Sequence, residues 1–164
     1  MAVSGITESF QVLTFTLGDE IFAVDIARVR EVLEYTQVTK VPRTPDFMCG
    51  VINLRGSVVP VVDLRLKFGM DEAGRTVNTC IIIVEVVQDD EKTVLGALAD
   101  SVKEVMNLDP DQIEGAPKIG TNLRTEFIRG MGKHEEAFII ILDTDRVFSA
   151  EELSAMQGGI SEGG

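Results

Sequence analysis

Reaction centres in small proteins are built from histidines, cysteines and paired carboxylates at workable spacing, and this chain offers few of them. Its one histidine, His134, stands in the turn-forming run Gly132-Lys133-His134-Glu135, so a histidine nucleophile or metal cluster has nothing to assemble from. An exposed loop histidine is expected. The two cysteines, Cys49 and Cys80, fall inside apolar runs and are expected as buried reduced thiols rather than a disulfide. The sequence holds no Cys-x-x-Cys, no Gly-x-Ser-x-Gly and no glycine-rich phosphate loop. Gly130-Met131-Gly132 lacks the third glycine and the following helix of a dinucleotide fingerprint. One carboxylate pair has a reaction to offer. Asp63 and Asp143 each close an apolar run and, brought together, would form an aspartyl dyad. A dyad needs one raised pKa and a tightly turned loop after each Asp. The following residues are Leu64-Arg65 and Thr144-Asp145, without a glycine, so both aspartates are expected to cap short helical turns. A dyad hydrolase stays a distant alternative, and no enzyme, metal or cofactor is expected.

What remains is binding. Glu31 and Arg55 read as a polar pair near strand ends, Arg55 held in a turn by Gly56; the rival reading is a surface salt bridge of little energetic weight. Val29, Val32 and Val105 either line a groove or belong to ordinary core. Composition limits the partner. The 164 residues carry 15 Lys and Arg against 27 Asp and Glu, a net charge of −12, with 45% apolar and 26% charged residues. That balance suits a soluble globular chain. Binding a phosphate backbone takes clustered cations, so nucleic acid is excluded as a main partner. The charge is lopsided: residues 1–69 hold 7 basic and 8 acidic side chains, residues 70–164 hold 8 and 19. The strongly apolar run Cys80–Val84, continued past Glu85 by Val86 and Val87, suits a buried strand and is far too short to cross a membrane. The first residues lack the basic and apolar regions of an export signal. Expectation therefore favours the cytoplasm, without direct membrane insertion.

The elements that must position these residues are mostly strands. Short Val- and Ile-rich runs alternate with turn residues. Phe10–Leu17 and Ile21–Val24 flank Gly18-Asp19-Glu20. Met48–Leu54 and Ser57–Val62 flank Arg55-Gly56, and Thr79–Val87 and Thr93–Ala99 flank an acidic loop at Asp89-Asp90-Glu91. Ala137–Leu142 is a last strand. Val58–Val62 and Phe138–Leu142 are apolar at every position, which predicts cover on both faces. Pro60 is expected at an edge or a bulge. Asp25 is expected to cap a short helical turn before an extended stretch, and Asp143–Phe148 and Ala150–Met156 are expected as short helices. Gln157–Gly164, with four glycines, is expected as a frayed tail. An internal repeat organises the whole. Val29-Arg30-Glu31-Val32 recurs as Val102-Lys103-Glu104-Val105, Phe47-x-x-Gly50 as Phe127-x-x-Gly130, and Val61-Val62-Asp63 as Ile141-Leu142-Asp143, at offsets of 73, 80 and 80. Two similar small β units are therefore predicted side by side, closed into short barrels to dispose of their edges. The groove between them is the expected binding surface.

Pro45-Asp46-Phe47-Met48-Cys49-Gly50-Val51-Ile52-Asn53-Leu54-Arg55-Gly56-Ser57-Val58-Val59-Pro60-Val61-Val62-Asp63-Leu64-Arg65 resembles the signature block of the bacterial chemotaxis coupling proteins, the CheW-like domain family. Phe15–Val32 is similar to the family's first hairpin and turn, and Gly96–Asn107 and Phe127–Asp143 to its second half. The likeness runs from about Phe10 to Phe148. It implies a mainly β fold of two pseudo-symmetric, intertwined five-stranded SH3-like barrels with short helices and a C-terminal short helix. The implied layout is a single domain over 10–156, its barrels roughly 20–80 and 81–142 with strands exchanged at the ends, between a flexible 1–9 and a flexible 157–164. It also implies a non-catalytic adaptor joining the cytoplasmic tip of methyl-accepting chemotaxis receptors to the regulatory domain of the histidine kinase CheA. That adaptor is recruited to the inner face of the membrane through the receptors. By motif match Val29, Glu31, Val32, Gly50, Arg55 and Val105 fall at the receptor-binding groove or its support, with Gly50 permitting a close approach or an unusual backbone angle. Asn53, Leu54, Gly56, Ser57 and Val58, with the acidic second barrel, are the implied kinase-binding candidates. The second copy lacks the Asn-Leu-Arg-Gly turn, so no second receptor site is expected. A free-standing coupling protein is expected, with a scaffold of a related non-motility chemosensory pathway as the alternative.

Overall fold

The computed structural model of the chain describes residues 9–71, 74, 76–88, 90–114, 127–134 and 137–163. In chain order the strands are β1 (Phe10–Leu17), β2 (Glu20–Asp25), β3 (Val29–Glu34), β4 (Met48–Leu54), β5 (Ser57–Asp63), β6 (Cys80–Gln88), β7 (Glu91–Ala99), β8 (Ser101–Leu108), the two-residue β9 (Ile113–Glu114), β10 (Ile128–His134) and β11 (Ala137–Leu142). The helices are α1 (Leu64–Lys67) and α2 (Ala150–Gly163). The predicted hairpins form, and Asp25 caps the Ile26–Arg28 turn by accepting the Ala27 N–H at 2.9 Å. His134 ends β10 rather than lying in a loop. Asp89 and Glu135, from the two predicted turns, lie outside the described residues.

The strands make two sheets, one ordered β8-β1-β2-β11-β10-β9 and the other β3-β6-β7-β5-β4. The exchange between units involves whole hairpins. β1–β2 pairs with β8 and β11 from the second repeat, and β6–β7 pairs with β3 and β5 from the first. Corresponding details recur in both units. β4 and β5 slip register between Met48 and Gly50, and β10 and β11 between Ile128 and Gly130. The Asp63 N–H donates to the Phe47 carbonyl at 2.7 Å and the Asp143 N–H to the Phe127 carbonyl at 2.9 Å. Each unit also carries one parallel pair, β5–β7 and β11–β2.

Three layers of core explain the strands that are apolar at every position. Val61, Ile81 and Ile83 fill one barrel-like unit, and Ile139 and Ile141 fill the other. Val62, Ile82, Val84, Ile140 and Leu142 point the other way, into a large core between the two sheets. From Val59 and Ile139 onward, side-chain alternation sends neighbouring residues into different cores and no polar face is needed, whereas Val58 and Phe138, also expected to be covered, stay half exposed. Three further expectations change. Pro60 lies on the internal strand β5, just outside its parallel ladder with β7, which begins at Val61. Residues 143–148 form a turn instead of a helix, because the Asp145 carboxylate is taken by the Val87 N–H and by Arg28, both at 2.8 Å. The last helix also continues through 157–163, where glycines predicted fraying. Buried Leu153 and Met156 anchor its first turns, and propagation then needs no new nucleus.

Candidate functional site

The Asn-Leu-Arg-Gly block forms a two-residue hairpin loop. Leu54 and Ser57 are the last strand pair, and Arg55 and Gly56 turn with φ of 51° and 88°. Two positive φ values are the pattern whose twist suits adjoining strands. Gly56 adopts it freely; an arginine does so at a cost. The Gly56 N–H donates to Asn53 Oδ1 at 2.8 Å, which secures the turn. So held, the Arg55 guanidinium forks onto Glu31, with Nη1 to Oε2 at 2.7 Å and Nη2 to Oε1 at 2.9 Å. These bonds hold the Glu31 carboxyl below its ordinary range and raise Arg55. Around the pair lies a cleft of about 600 Å³ whose lining includes Arg30, Leu54, Ser57, Lys92 and the half-exposed Val58.

The valines lie elsewhere. Val32 stands opposite Ile82, and Val105 opposite Leu13. Directly paired residues share a sheet face, and Ile82 and Leu13 belong to the core between the sheets. Val32 and Val105 are nevertheless 41% and 49% exposed, so they stand at the solvent margin of that core, at corresponding places in the two repeats. Val29 and Val102 pack deeper against it. Glu31 instead opposes Ile83, which faces the interior of its own barrel. A one-residue bulge between Val29 and Glu31 makes the difference, since an extra residue reverses which face the following side chains occupy.

The predicted groove set is thus divided. Val29, Val32 and Val105 share the inter-sheet side. Glu31 and Arg55 join Leu54, Ser57 and Val58 at the end of the first barrel, with Asn53 and Gly56 shaping the turn. Gly50 belongs to neither surface. At its φ of 148° an added Cβ would lie 2.1 Å from the Thr39 carbonyl oxygen, where Thr39 and Val51 exchange hydrogen bonds of 2.8 and 2.9 Å. It is a point of close backbone approach. The candidate dyad residues serve their own turns, Asp63 accepting the Arg65 N–H at 2.9 Å and Asp143 the Asp145 N–H at 3.2 Å. Cys49 and Cys80 form no disulfide and are partly exposed, not buried. Among the described residues no group of three or more His, Cys, Asp or Glu gathers as a metal site, and no helix is long and apolar enough to cross a membrane. One residue escaped the sequence reading. Lys67 is almost buried among phenylalanines, and nothing in its neighbours along the chain marks a lysine as interior.

Residues 11–152 match the CheW-like domain family. The chain belongs to the CheW-like domain family. A chemotaxis protein CheW of Klebsiella aerogenes is 38% identical over 152 residues, spanning 93% of this chain and 89% of the relative. That of Rhizobium meliloti is 35% identical, spanning 88% and 91%. Among solved structures, the scaffolding protein TtCheW from Thermoanaerobacter tengcongensis superposes with a TM-score of 0.77 at 36% identity, covering 87% of this chain and 94% of that one. The two barrel-like units with exchanged hairpins are accordingly the CheW-like fold, and the chain is a chemotaxis adaptor of that family.

Proposed function

We propose that this CheW-like chain is a non-catalytic adaptor that couples methyl-accepting chemotaxis receptors to the histidine kinase CheA in signalling arrays. The observation that carries the proposal is the presence of two separate surfaces on one body. The exposed valines at the margin of the inter-sheet core, Val32 and Val105, suit the apolar face of a helical receptor tip. A charged cleft at one barrel end, built on the Glu31–Arg55 pair with Ser57 and Val58, suits the kinase's regulatory domain. Glu31 and Arg55 move, on this reading, from the receptor surface to the kinase surface. An adaptor transmits a signal only if its contacts differ between the states of its partners, and contact with both partners at once meets that requirement. The protein then works in the cytoplasm, drawn to the inner face of the membrane by receptors rather than by insertion.

The test is kinase autophosphorylation with receptor membranes, with and without this protein. Activation that depends on the protein and falls with attractant is expected. No effect with a cognate receptor and kinase would sink the coupling role and favour a scaffold in a non-motility chemosensory pathway.

A further inference from the structure

At the centre of the molecule the two repeats exchange aromatic rings. Phe47 lies 5.7 Å from Phe148, and Phe68 lies 5.9 Å from Phe127. The offset of 80 residues that relates Phe47 to Phe127 also relates Phe68 to Phe148, so each contact is the image of the other about the pseudo-twofold axis. One side chain breaks this symmetry. Lys67, whose counterpart is the buried Val147, places its ammonium 4.7 Å from the Phe127 ring, 5.3 Å from Phe47 and 5.8 Å from Phe148. Its side chain is 10% exposed and pairs with Glu152 of α2 at 3.0 Å. Glu152 is itself fixed: its Oε1 accepts the Ser149 N–H at 2.9 Å, and Ser149 Oγ accepts the Glu152 N–H at 3.1 Å.

A cation is drawn to the faces of aromatic rings, and a nearly buried ammonium depends on its carboxylate partner. The partners of Lys67 come from different bodies: Phe47 enters β4 of one unit, Phe127 enters β10 of the other, and Glu152 belongs to α2. Turning one unit against the other pulls the ammonium from at least one of them. We infer that Lys67 is a positioning residue that sets the angle between the two barrel-like units, and with it the relative placement of Val32 and Val105, which lie one on each sheet. What those valines bind rests on the adaptor reading above; the angle is a property of the chain alone. Glu152 agrees with this arrangement. Burial pushes its carboxyl up, but the Ser149 N–H and the Lys67 ammonium outweigh that and hold it below its ordinary value.

The experiment uses the full chain as Lys67→Met, which keeps length and loses charge, with Glu152→Gln and Lys67→Arg. Residual dipolar couplings of amides in β3–β7 and in β1, β2, β8, β10 and β11 are fitted as two groups. Wild type is expected to need one alignment frame. Lys67→Met and Glu152→Gln are expected to need two, with couplings inside each group unchanged, and Lys67→Arg to restore one. If Lys67→Met fails to fold, Glu152→Gln decides. A wild-type frame in the folded variants overturns the inference. As a second readout, Lys67→Met is expected to weaken a receptor-tip fragment about 5-fold or more and leave the isolated kinase regulatory domain unaffected. Equal loss of both partners with an unchanged angle also overturns it. Failure of wild type to bind either partner would fell the adaptor reading instead, leaving the couplings to judge Lys67.

Discussion

At the scale of single residues, Arg55 and Gly50 carry opposite kinds of importance. Arg55 is largely exposed, and its ion pair spans the rim of the cleft, where salt and solvent weaken such pairs. Arg55→Ala is therefore expected to leave the melting temperature within about 2 °C of wild type and to abolish receptor-controlled kinase activation in the reconstituted assay. Intact coupling in a folded Arg55→Ala protein would remove the cleft from the mechanism. Gly50 touches no proposed partner. Gly50→Ala drives a methyl group against the Thr39 carbonyl at an angle L-residues avoid, an overpacking and strain cost of about 3 kcal/mol or more. Urea titration should show this loss. Its coupling defect should follow the fraction unfolded, unlike that of Arg55→Ala.

At the scale of elements, α2 offers the sharpest expectations. Ser149 and Glu152 close its first turn reciprocally, a capping box. Ser149→Ala is expected to cost about 1 kcal/mol, read as a lower denaturation midpoint at unchanged slope. The carboxyl of Glu152 lies below its ordinary value of 4.5 when folded. Its stabilising contribution is therefore complete above that value and is lost as pH falls through the lowered folded value. Melting scans on acidification should show a drop that Glu152→Gln lacks; parallel curves for the two proteins would count against the assigned role of Glu152. β3 shows how an element decides function. Its bulge lets Val29 and Val32 share a face three residues apart, and it turns Glu31 away from them.

At the scale of the whole molecule, hairpin exchange makes the two repeats interdependent. Residues 10–25 have their sheet partners in 101–108 and 137–142, and residues 80–99 have theirs in 29–34 and 57–63. A fragment of residues 1–75 is expected to show no dispersed amide spectrum alone, and mixing it with 76–164 is expected to restore one. Independent folding of either piece would contradict the exchange. The same entanglement puts the exposed valines and the charged cleft on one body.

Much of this was legible along the chain because it depends on local order. Alternation and β-branched runs mark the strands, and Arg55-Gly56 marks a tight loop. The paired Phe47-x-x-Gly50 and Phe127-x-x-Gly130 blocks mark the repeat, and the Asn-Leu-Arg-Gly block marks the CheW-like family. Apart from the Glu31–Arg55 pair, what depended on pairing between distant segments was not legible. Sequence does not show which hairpin completes which sheet, because each apolar strand would pack equally well in either unit. The bulge after Val29 leaves no mark in a string of residues, yet it separates Glu31 from the valines. Lys67 reads as a surface charge until folding gathers Phe47, Phe127, Phe148 and Glu152 around it. The sequence by itself determined the strands, the turn that presents Arg55 and the family, since these rest on backbone preference and side-chain order within a few residues. Only the tertiary structure decided the faces, the partners and the lysine at the pseudo-twofold axis, since these are set by contacts between residues far apart along the chain.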